Sequence, residues 1–424
     1  MGFIALLILN VLFVPAAAGF LLFFLLSPRR SLLKTLLDEL PERCALSAPK
    51  TGPGAVWLHA ASVGETRSLA LLVRRLRAEY PKLPLLISTN TAAGKKAAET
   101  LSPDAAVLSP LDFYPFTSAF VKKYRPRALF IAERDLWPNM ISAAKAADIP
   151  VCIVNGRLSS RSAGRYALAC GFMKYVFGKI SGACAQTEQD AANYRALGMS
   201  PSKITVTGNL KYDLLERQPT KRDEARRVLA RLAWTNSPLL VLGSTHPAEE
   251  QMLAREFSRL KSAVPEVKIV LAPRHLERTA QINASMQEAE IKTALYSEQD
   301  GNPGADCLIV DAMGLLTSFY SFATLCFIGG TIAEKGGHNM LEAAILGKPM
   351  IAGPHYYNTP EVAVKLIADG AAFQISEETF ADTTIKLLKA GPETQNAGKA
   401  ALETALSFTG ATDKTMPVIR EFLA

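Results

Sequence analysis

The chain has 424 residues, of which 49% are hydrophobic and 20% charged. That length exceeds one ordinary domain, and that composition excludes an intrinsically disordered chain. A net charge of +8 suits an anionic partner, but phosphorylated lipid, nucleotide and nucleic acid all qualify, so charge does not choose among them.

The first element is apolar. Residues 1–28 carry no charged side chain, and "FIALLILNVLFVPAAAGFLLFFLL" fills most of them. A helix of about 20 such residues spans a bilayer. "SPRRSLLK" follows, with Arg29, Arg30 and Lys34, and positive charge on this flank favours the cytoplasmic side. A cleaved leader would start with a basic segment, which is missing, and the apolar run continues past "PAAAG". Pro15 predicts a kink or a re-entrant turn. The expectation is a cytosolic body held by an N-terminal membrane anchor, residues 1–28, which either spans or only embeds.

After an amphipathic helix and loop over 31–50, apolar strand-like runs alternate with helical patterns. "AVWLHAAS", "LPLLISTN", "AAVLSP", "ALFIAE", "PVCIVNG", "GACAQT" and "ITVTGN" form the first series. "KYDLLERQPTKRDEARRVLARLAW" then interrupts it with charged, helical sequence. "PLLVLGST", "VKIVLAPR", "DCLIVD", "TLCFIGGT" and "PMIAGP" form the second series. Such alternation implies parallel sheets with crossover helices. The expected fold is α/β: a Rossmann-like domain over 29–212, a linker over 213–236 and a second Rossmann-like domain over 237–424, with strand-end loops turned into one cleft.

The cysteines at 44, 152, 170, 184, 307 and 326 form no CxxC pair, and several sit in apolar runs. They read as buried free thiols in a reducing compartment. The histidines at 59, 246, 275, 338 and 355 show no metal-ligand spacing.

Five polar clusters fall at strand ends. In "VWLHAASVGET", Glu65 follows a strand and opens a helix, where exposed N–H groups favour a carboxylate anion. A first-turn glutamate is also an ordinary structural choice, and the residues alone leave both readings open. "ALFIAERDLWPN" ends a strand in Glu133, Arg134 and Asp135, either a surface ion pair or a site. "NGRLSSRSAGRY" repeats Arg157, Arg161 and Arg165 every four residues, which predicts a guanidinium face for phosphates or simply a solvated helix. "LGSTH" and "LAPRH" place Arg274 beyond a buried strand. "FIGGTIAEKGGHNMLEAAILGKPMIAGP" runs from a strand through glycines into a helix bearing Glu342. Glycines admit close backbone approach, the helix start predicts an anion site, and Asn339 lies three residues from Glu342 on one face. This last cluster is the hardest to explain as packing.

Taken in order, "WLHAASVGE", "DLWPN", "NGRLSSRS", "GNLKYD", "LAPRH", "FIGGT", "GGHNMLEAA" and "GKPMIAGPHYYN" resemble the 3-deoxy-D-manno-octulosonic acid (Kdo) transferases of lipopolysaccharide assembly. The resemblance implies a GT-B glycosyltransferase fold with the acceptor domain first and the nucleotide-sugar domain second. It implies CMP-Kdo as donor, with no cofactor or metal. The implied acceptor is a phosphorylated lipid A precursor (lipid IVA) at the cytoplasmic face of the inner membrane, and no nucleic acid partner is implied. Carried over residue by residue, Glu65 matches the catalytic base. Glu133 and Lys211 match the residues that stabilise the transition state. Pro273 and Arg274, Met313 and Gly314, and Asn339 with Glu342 match contacts to CMP. Two departures stand out. Glu133-Arg134-Asp135 replaces a frequent Glu-Thr-Glu, and Met313-Gly314-Leu315 replaces Met-Gly-Glu, leaving only a backbone contact to expect from Leu315. The rival readings are another GT-B nucleotide-sugar enzyme, such as a UDP-sugar transferase or epimerase, and a non-catalytic membrane-tethered adaptor.

Overall fold

The computed structural model describes residues 2–27, 30–47, 49, 51–298 and 302–424. Arg29 and the side chains of Arg30 and Cys170 lie outside the described residues; the other cysteines are free thiols. The chain forms two compact units, residues 1–214 with 409–424, and residues 215–408.

The first unit is built on a parallel seven-stranded sheet. Its strands are β1 (Val56–Ala60), β2 (Leu85–Thr89), β3 (Ala105–Leu108), β4 (Ala128–Ala132), β5 (Val151–Gly156), β6 (Gly182–Ala185) and β7 (Ile204–Val206), in the order β3-β2-β1-β4-β5-β6-β7. Side chains alternate across the sheet. Val56, Leu58, Ile87 and Phe130 join one buried cluster, while Trp57, Leu86, Leu129 and Ile131 join the other. Both faces are therefore covered, which is why these strands read as continuous apolar runs. The strand order reverses between β1 and β4, and the loops beyond the carboxyl ends of strands at such a point are where α/β sheets bind ligands.

The second unit repeats the plan. Its strands are β8 (Leu239–Thr245), β9 (Lys268–Pro273), β10 (Thr293–Leu295), β11 (Cys307–Ile309), β12 (Leu325–Ile328), β13 (Met350–Ala352) and β14 (Ala372–Gln374), in the order β10-β11-β9-β8-β12-β13-β14. Here the reversal falls between β8 and β12. The short edge strands β10 and β14 were not among the expected strands.

Two expected boundaries move. Residues 215–236 belong to the second unit, where Val228, Leu229 and Trp234 are buried. The last sixteen residues, 409–424, return to the first unit. Met416, Ile419 and Leu423 of the helix Ala411–Leu423 pack into the cluster that holds Val56 and Leu58. Asp213 fastens the start of that helix by accepting the N–H groups of Gly410, Ala411 and Thr412 at 2.7, 3.1 and 2.6 Å.

The N-terminal segment forms one helix, Gly2–Leu26, continuous through Pro15. Residues 2–23 are long and apolar enough to cross a membrane, and nearly all of that stretch is exposed. Leu6 is buried, however, and Phe13 stacks on Phe113 with ring centroids 4.7 Å apart.

Candidate functional site

In the first unit, the loop after β1 places Glu65 in the first turn of the short helix Val63–Ser68. Ser62 caps that helix by accepting the Glu65 N–H at 3.4 Å, and Glu65 Oε2 accepts the Ala61 N–H at 2.6 Å. Glu65 thus does act as a capping acid, but with one oxygen only; among the described residues no hydrogen-bond donor reaches Oε1. Burial pushes its carboxyl above the ordinary glutamate range. The Ala61 N–H pulls it down, the charges of Glu133 and Asp135 push it up, and His59 opposes them. A half-buried carboxylate with raised affinity for a proton is what general-base chemistry uses.

Across the strand reversal, Glu133 follows β4 with φ +57°. A left-handed backbone at a side-chain-bearing residue costs about 1–2 kcal/mol, and such strain concentrates at functional sites. The surroundings hold it: Glu133 N–H donates to Val154 O at 2.9 Å, and Arg157 N–H donates to Glu133 O at 3.4 Å. The buried Glu133 carboxylate pairs with Lys211, whose Nζ lies 2.6 Å from Oε1. This contact is an ion pair and does not meet hydrogen-bond geometry, since Glu133 Oε1 has no aligned donor. Lys211 rides on the turn Leu210–Leu214, which packs against the Glu65 helix and is tied to β5 by Leu210 N–H donating to Asn155 Oδ1 at 2.9 Å. Glu65, Glu133 and Lys211 therefore come together.

Asp135 belongs to this group, though the sequence reading gave it no role. Its Oδ2 accepts from His59 Nε2, Asn90 Nδ2 and Trp137 Nε1, each at 2.7 Å. Burial pushes the Asp135 carboxyl up, but these donors, His59 above all, hold it below the usual aspartate range. His59 is fully buried, and its Nδ1 lies 2.9 Å from Ser88 Oγ, which also accepts from Trp57 Nε1 at 2.8 Å. The chain Trp57–Ser88–His59–Asp135 fixes the carboxylate's orientation.

The arginine repeat divides. Its helix starts at Ser160, so Arg161 and Arg165 share a helical face while Arg157 sits in the preceding loop. All three are exposed.

In the second unit, a cavity of about 400 Å³ collects Pro273, Arg274, Met313, Gly314, Asn339 and Glu342. Ser244, Tyr320 and His338 complete much of its wall. Asn339 Nδ2 donates to Glu342 Oε1 at 3.2 Å. Burial pushes the Glu342 carboxyl up, and Asn339 and Arg274 pull it down. Leu315 does not line the cavity; it is buried at the start of the helix Leu316–Tyr320. The expected helix start at 338–342 is present, but the helix is brief. The helix here is only Leu341–Ala344, one turn, too short for an appreciable macrodipole. Gly336 and Gly337 instead shape the turn with φ of +84° and +74°. A Cβ at Gly336 would lie 2.4 Å from the Tyr357 ring.

Two neighbouring acids organise this cavity and were missed. Glu249 is fully buried. Its Oε2 accepts the N–H groups of His246 and Gly330, both at 3.0 Å. Its Oε1 accepts those of Thr331, Ile332 and Ala333 at 3.1, 3.1 and 3.3 Å. One carboxylate thus holds the turn after β12. Glu250 pairs with Arg278 at 2.8 Å and fastens the loop that carries Arg274. His246 and His338 stack, with Nε2 atoms 3.0 Å apart. Burial, aided by His246 and Arg274, lowers the His338 pKa to about 4, so it is neutral near pH 7. The signal for Glu249 is present in "HPAEE": proline at the first helical position and glutamate at the third.

A family model described as 3-deoxy-D-manno-octulosonic-acid transferase (kdotransferase) matches residues 38–214. The 3-deoxy-D-manno-octulosonic acid transferase of Chlamydophila psittaci is 36% identical over 331 residues, covering 76% of this chain and 74% of the relative. The Bordetella pertussis enzyme of the same name is 31% identical over 397 residues, covering 90% of each. The chain belongs to the Kdo transferase family. It is accordingly an enzyme, a glycosyltransferase. Among solved structures, a glycosyltransferase of Rickettsia africae superposes with TM-score 0.59 at 12% identity, covering 88% of this chain and 99% of that one. A UDP-GlcNAc 2-epimerase of Neisseria meningitidis superposes with TM-score 0.59 at 14% identity, covering 87% and 99%. At such identities the likeness concerns the fold, which is GT-B. Among the described residues, no group of three or more His, Cys, Asp or Glu side chains is placed to hold a metal ion.

Within the family frame, the departure Glu133-Arg134-Asp135 acquires a physical reading. The backbone at Glu133 turns the chain so that Asp135 reaches the buried His59, while Arg134 is exposed. The added cation therefore points away from the buried acid cluster.

Proposed function

We propose that this enzyme transfers Kdo from CMP-Kdo to a phosphorylated lipid A precursor, lipid IVA, by a single inverting displacement. The observation that carries the reading is Glu65: a half-buried carboxylate with raised proton affinity and one uncommitted oxygen, beside the Glu133–Lys211 pair. The first unit handles the acceptor. Glu65 takes the proton of an acceptor hydroxyl as that oxygen bonds to the anomeric carbon of Kdo. The bond from the anomeric carbon to the CMP phosphate oxygen breaks, and CMP departs with the electron pair. Backside attack inverts the anomeric configuration. Lys211, held by Glu133, stabilises the negative charge that develops.

The second unit holds the donor. Arg274 meets the CMP phosphate, Glu342 and Asn339 take ribose hydroxyls, and Pro273, Met313 and Gly314 contact the nucleotide. Protein donors supply the leaving-group stabilisation, and no metal is invoked. Arg161 and Arg165, with Arg157 beside them, attract the phosphates of the acceptor. The apolar helix anchors the enzyme at the inner membrane with both units on the cytoplasmic side, in keeping with the basic flank.

Mass spectrometry of a tetra-acylated lipid A precursor incubated with CMP-Kdo and the purified enzyme tests the reading. The expected result is one or more Kdo-sized mass increments; no increment refutes it. Thermal protection by CMP but not by UDP is the expected companion result.

A further inference from the structure

The first unit holds a second cavity, of about 580 Å³, that the chemistry above does not use. Its wall joins Leu9 and Phe13 of the N-terminal helix to Leu111, Leu136 and Trp137 of the body. The helix is docked there by design of its sequence. Asn10 is the sole polar side chain between Gly2 and Leu26. Its Nδ2 donates to Asn139 Oδ1 at 2.7 Å and to Leu6 O at 2.8 Å, and its Oδ1 accepts the Tyr114 N–H at 2.8 Å. A polar residue inside an apolar span is costly unless partnered, and marks function. Here it locks the helix against the "WPN" segment, and the stacking of Phe13 on Phe113 continues the contact.

The wall is mixed: Leu9, Phe13, Leu111 and Leu136 are apolar, while Arg43, Asn90, Asp112 and Asn139 are polar or charged. Leu9 both lines the cavity and is 46% exposed, so exposed apolar surface of the helix adjoins it. Asn90 and Trp137 line it too, and both donate to Asp135 Oδ2 at 2.7 Å. Asp135 in turn acts electrostatically on Glu65. A ligand suited to such a wall carries both hydrocarbon and polar groups.

We propose that this cavity seats an acyl chain of the lipid acceptor and so delivers the attacking hydroxyl toward Glu65. The proposal rests on the reading of the first unit as the acceptor side. An acyl chain moved from a bilayer into a protein cavity exchanges one apolar surrounding for another, so little transfer energy is gained. The cavity then contributes selection and position.

Filling the cavity with Leu111→Trp or Leu136→Trp tests this in the full-length enzyme in mixed micelles. The expected result is a tenfold or larger fall in kcat/KM for the tetra-acylated acceptor, through kcat, KM or both, with KM for CMP-Kdo within twofold of wild type. An acceptor kcat/KM within twofold of wild type in both variants overturns the proposal. A second measurement is independent of turnover. An acceptor bearing a diazirine in one acyl chain is expected to label the peptides containing Leu9 and Trp137, and unlabelled acceptor is expected to compete. Labelling elsewhere, or equal labelling by a diazirine phosphatidylglycerol, overturns the assignment. Should the wild-type enzyme transfer no Kdo, the functional reading fails by itself, and photolabelling still decides the cavity.

Discussion

Replacing Glu249 by glutamine changes one oxygen to an amide nitrogen at nearly constant shape. The carboxylate accepts five backbone N–H groups, two on Oε2 and three on Oε1. Glutamine keeps one acceptor oxygen. Turned so that this oxygen serves Thr331, Ile332 and Ala333, its NH2 opposes the N–H groups of His246 and Gly330; turned the other way, it opposes three. At least two buried donors lose their partner, at about 1–3 kcal/mol each, so Glu249→Gln is expected to cost about 2–6 kcal/mol. The loss falls on the second unit, because all five donors lie there. Calorimetry of the full chain should show a lowered transition for that unit alone. The same turn precedes His338 and Asn339; with the proposed donor site there, KM for CMP-Kdo should rise more than kcat falls, while KM for the acceptor stays put. A transition within about 0.5 kcal/mol of wild type, with donor KM unchanged, would refute the claim that this carboxylate holds the donor loop.

Glu65→Ala is expected to lower turnover by about 10²–10⁴-fold, the usual worth of a general base, with CMP binding by calorimetry unchanged. With Glu65 as the proposed base, the wild-type acid limb of kcat/KM should lie above the ordinary glutamate value of about 4.3, because a base with a raised pKa must be ionised to act; a limb at or below that value contradicts the environment described. For Asp135 the sign is opposite. A folded-state pKa held below the unfolded value of about 3.9 contributes stability that is present above that pH and lost as pH falls through the folded value. The melting difference between wild type and Asp135→Asn should therefore be steady from pH 5 to 8 and close in acid, and a difference that widens in acid would count against it. Asp213→Asn removes one of the two oxygens that fasten the C-terminal helix; about 1–2 kcal/mol of stability and a fall in kcat through Lys211 are expected, and full kcat would break the link between that helix and the site.

Local sequence determined a good deal. Short continuous apolar runs such as "PVCIVNG" and "PLLVLGST", alternating with helical patterns, fit strands covered on both faces, so two parallel sheets were legible. Residues at strand ends lie at the edge where α/β sheets bind ligands, so Glu65, Glu133 and Arg274 stood out as candidates, with the structural readings of Glu65 and Glu133 still open. A carboxylate or guanidinium that abruptly ends an apolar run signals itself by chemical contrast.

Tertiary structure decided what contrast cannot signal. Glu249 looks like any first-turn helix acid; only the fold brings the turn after β12, more than eighty residues away, onto it. Asp135 had no assigned role until β1 and the loop after β2 supplied His59 and Asn90. Asn10 is one polar residue in an apolar run, and its partners Tyr114 and Asn139 lie more than a hundred residues ahead. The helix at Leu341 was expected longer because four residues do not distinguish one turn from the start of several. Periodicity and contrast are local properties, and a chain carries them in its order. A hydrogen-bond partner across the sheet is set by strand order and register, which arise only when the whole core is buried.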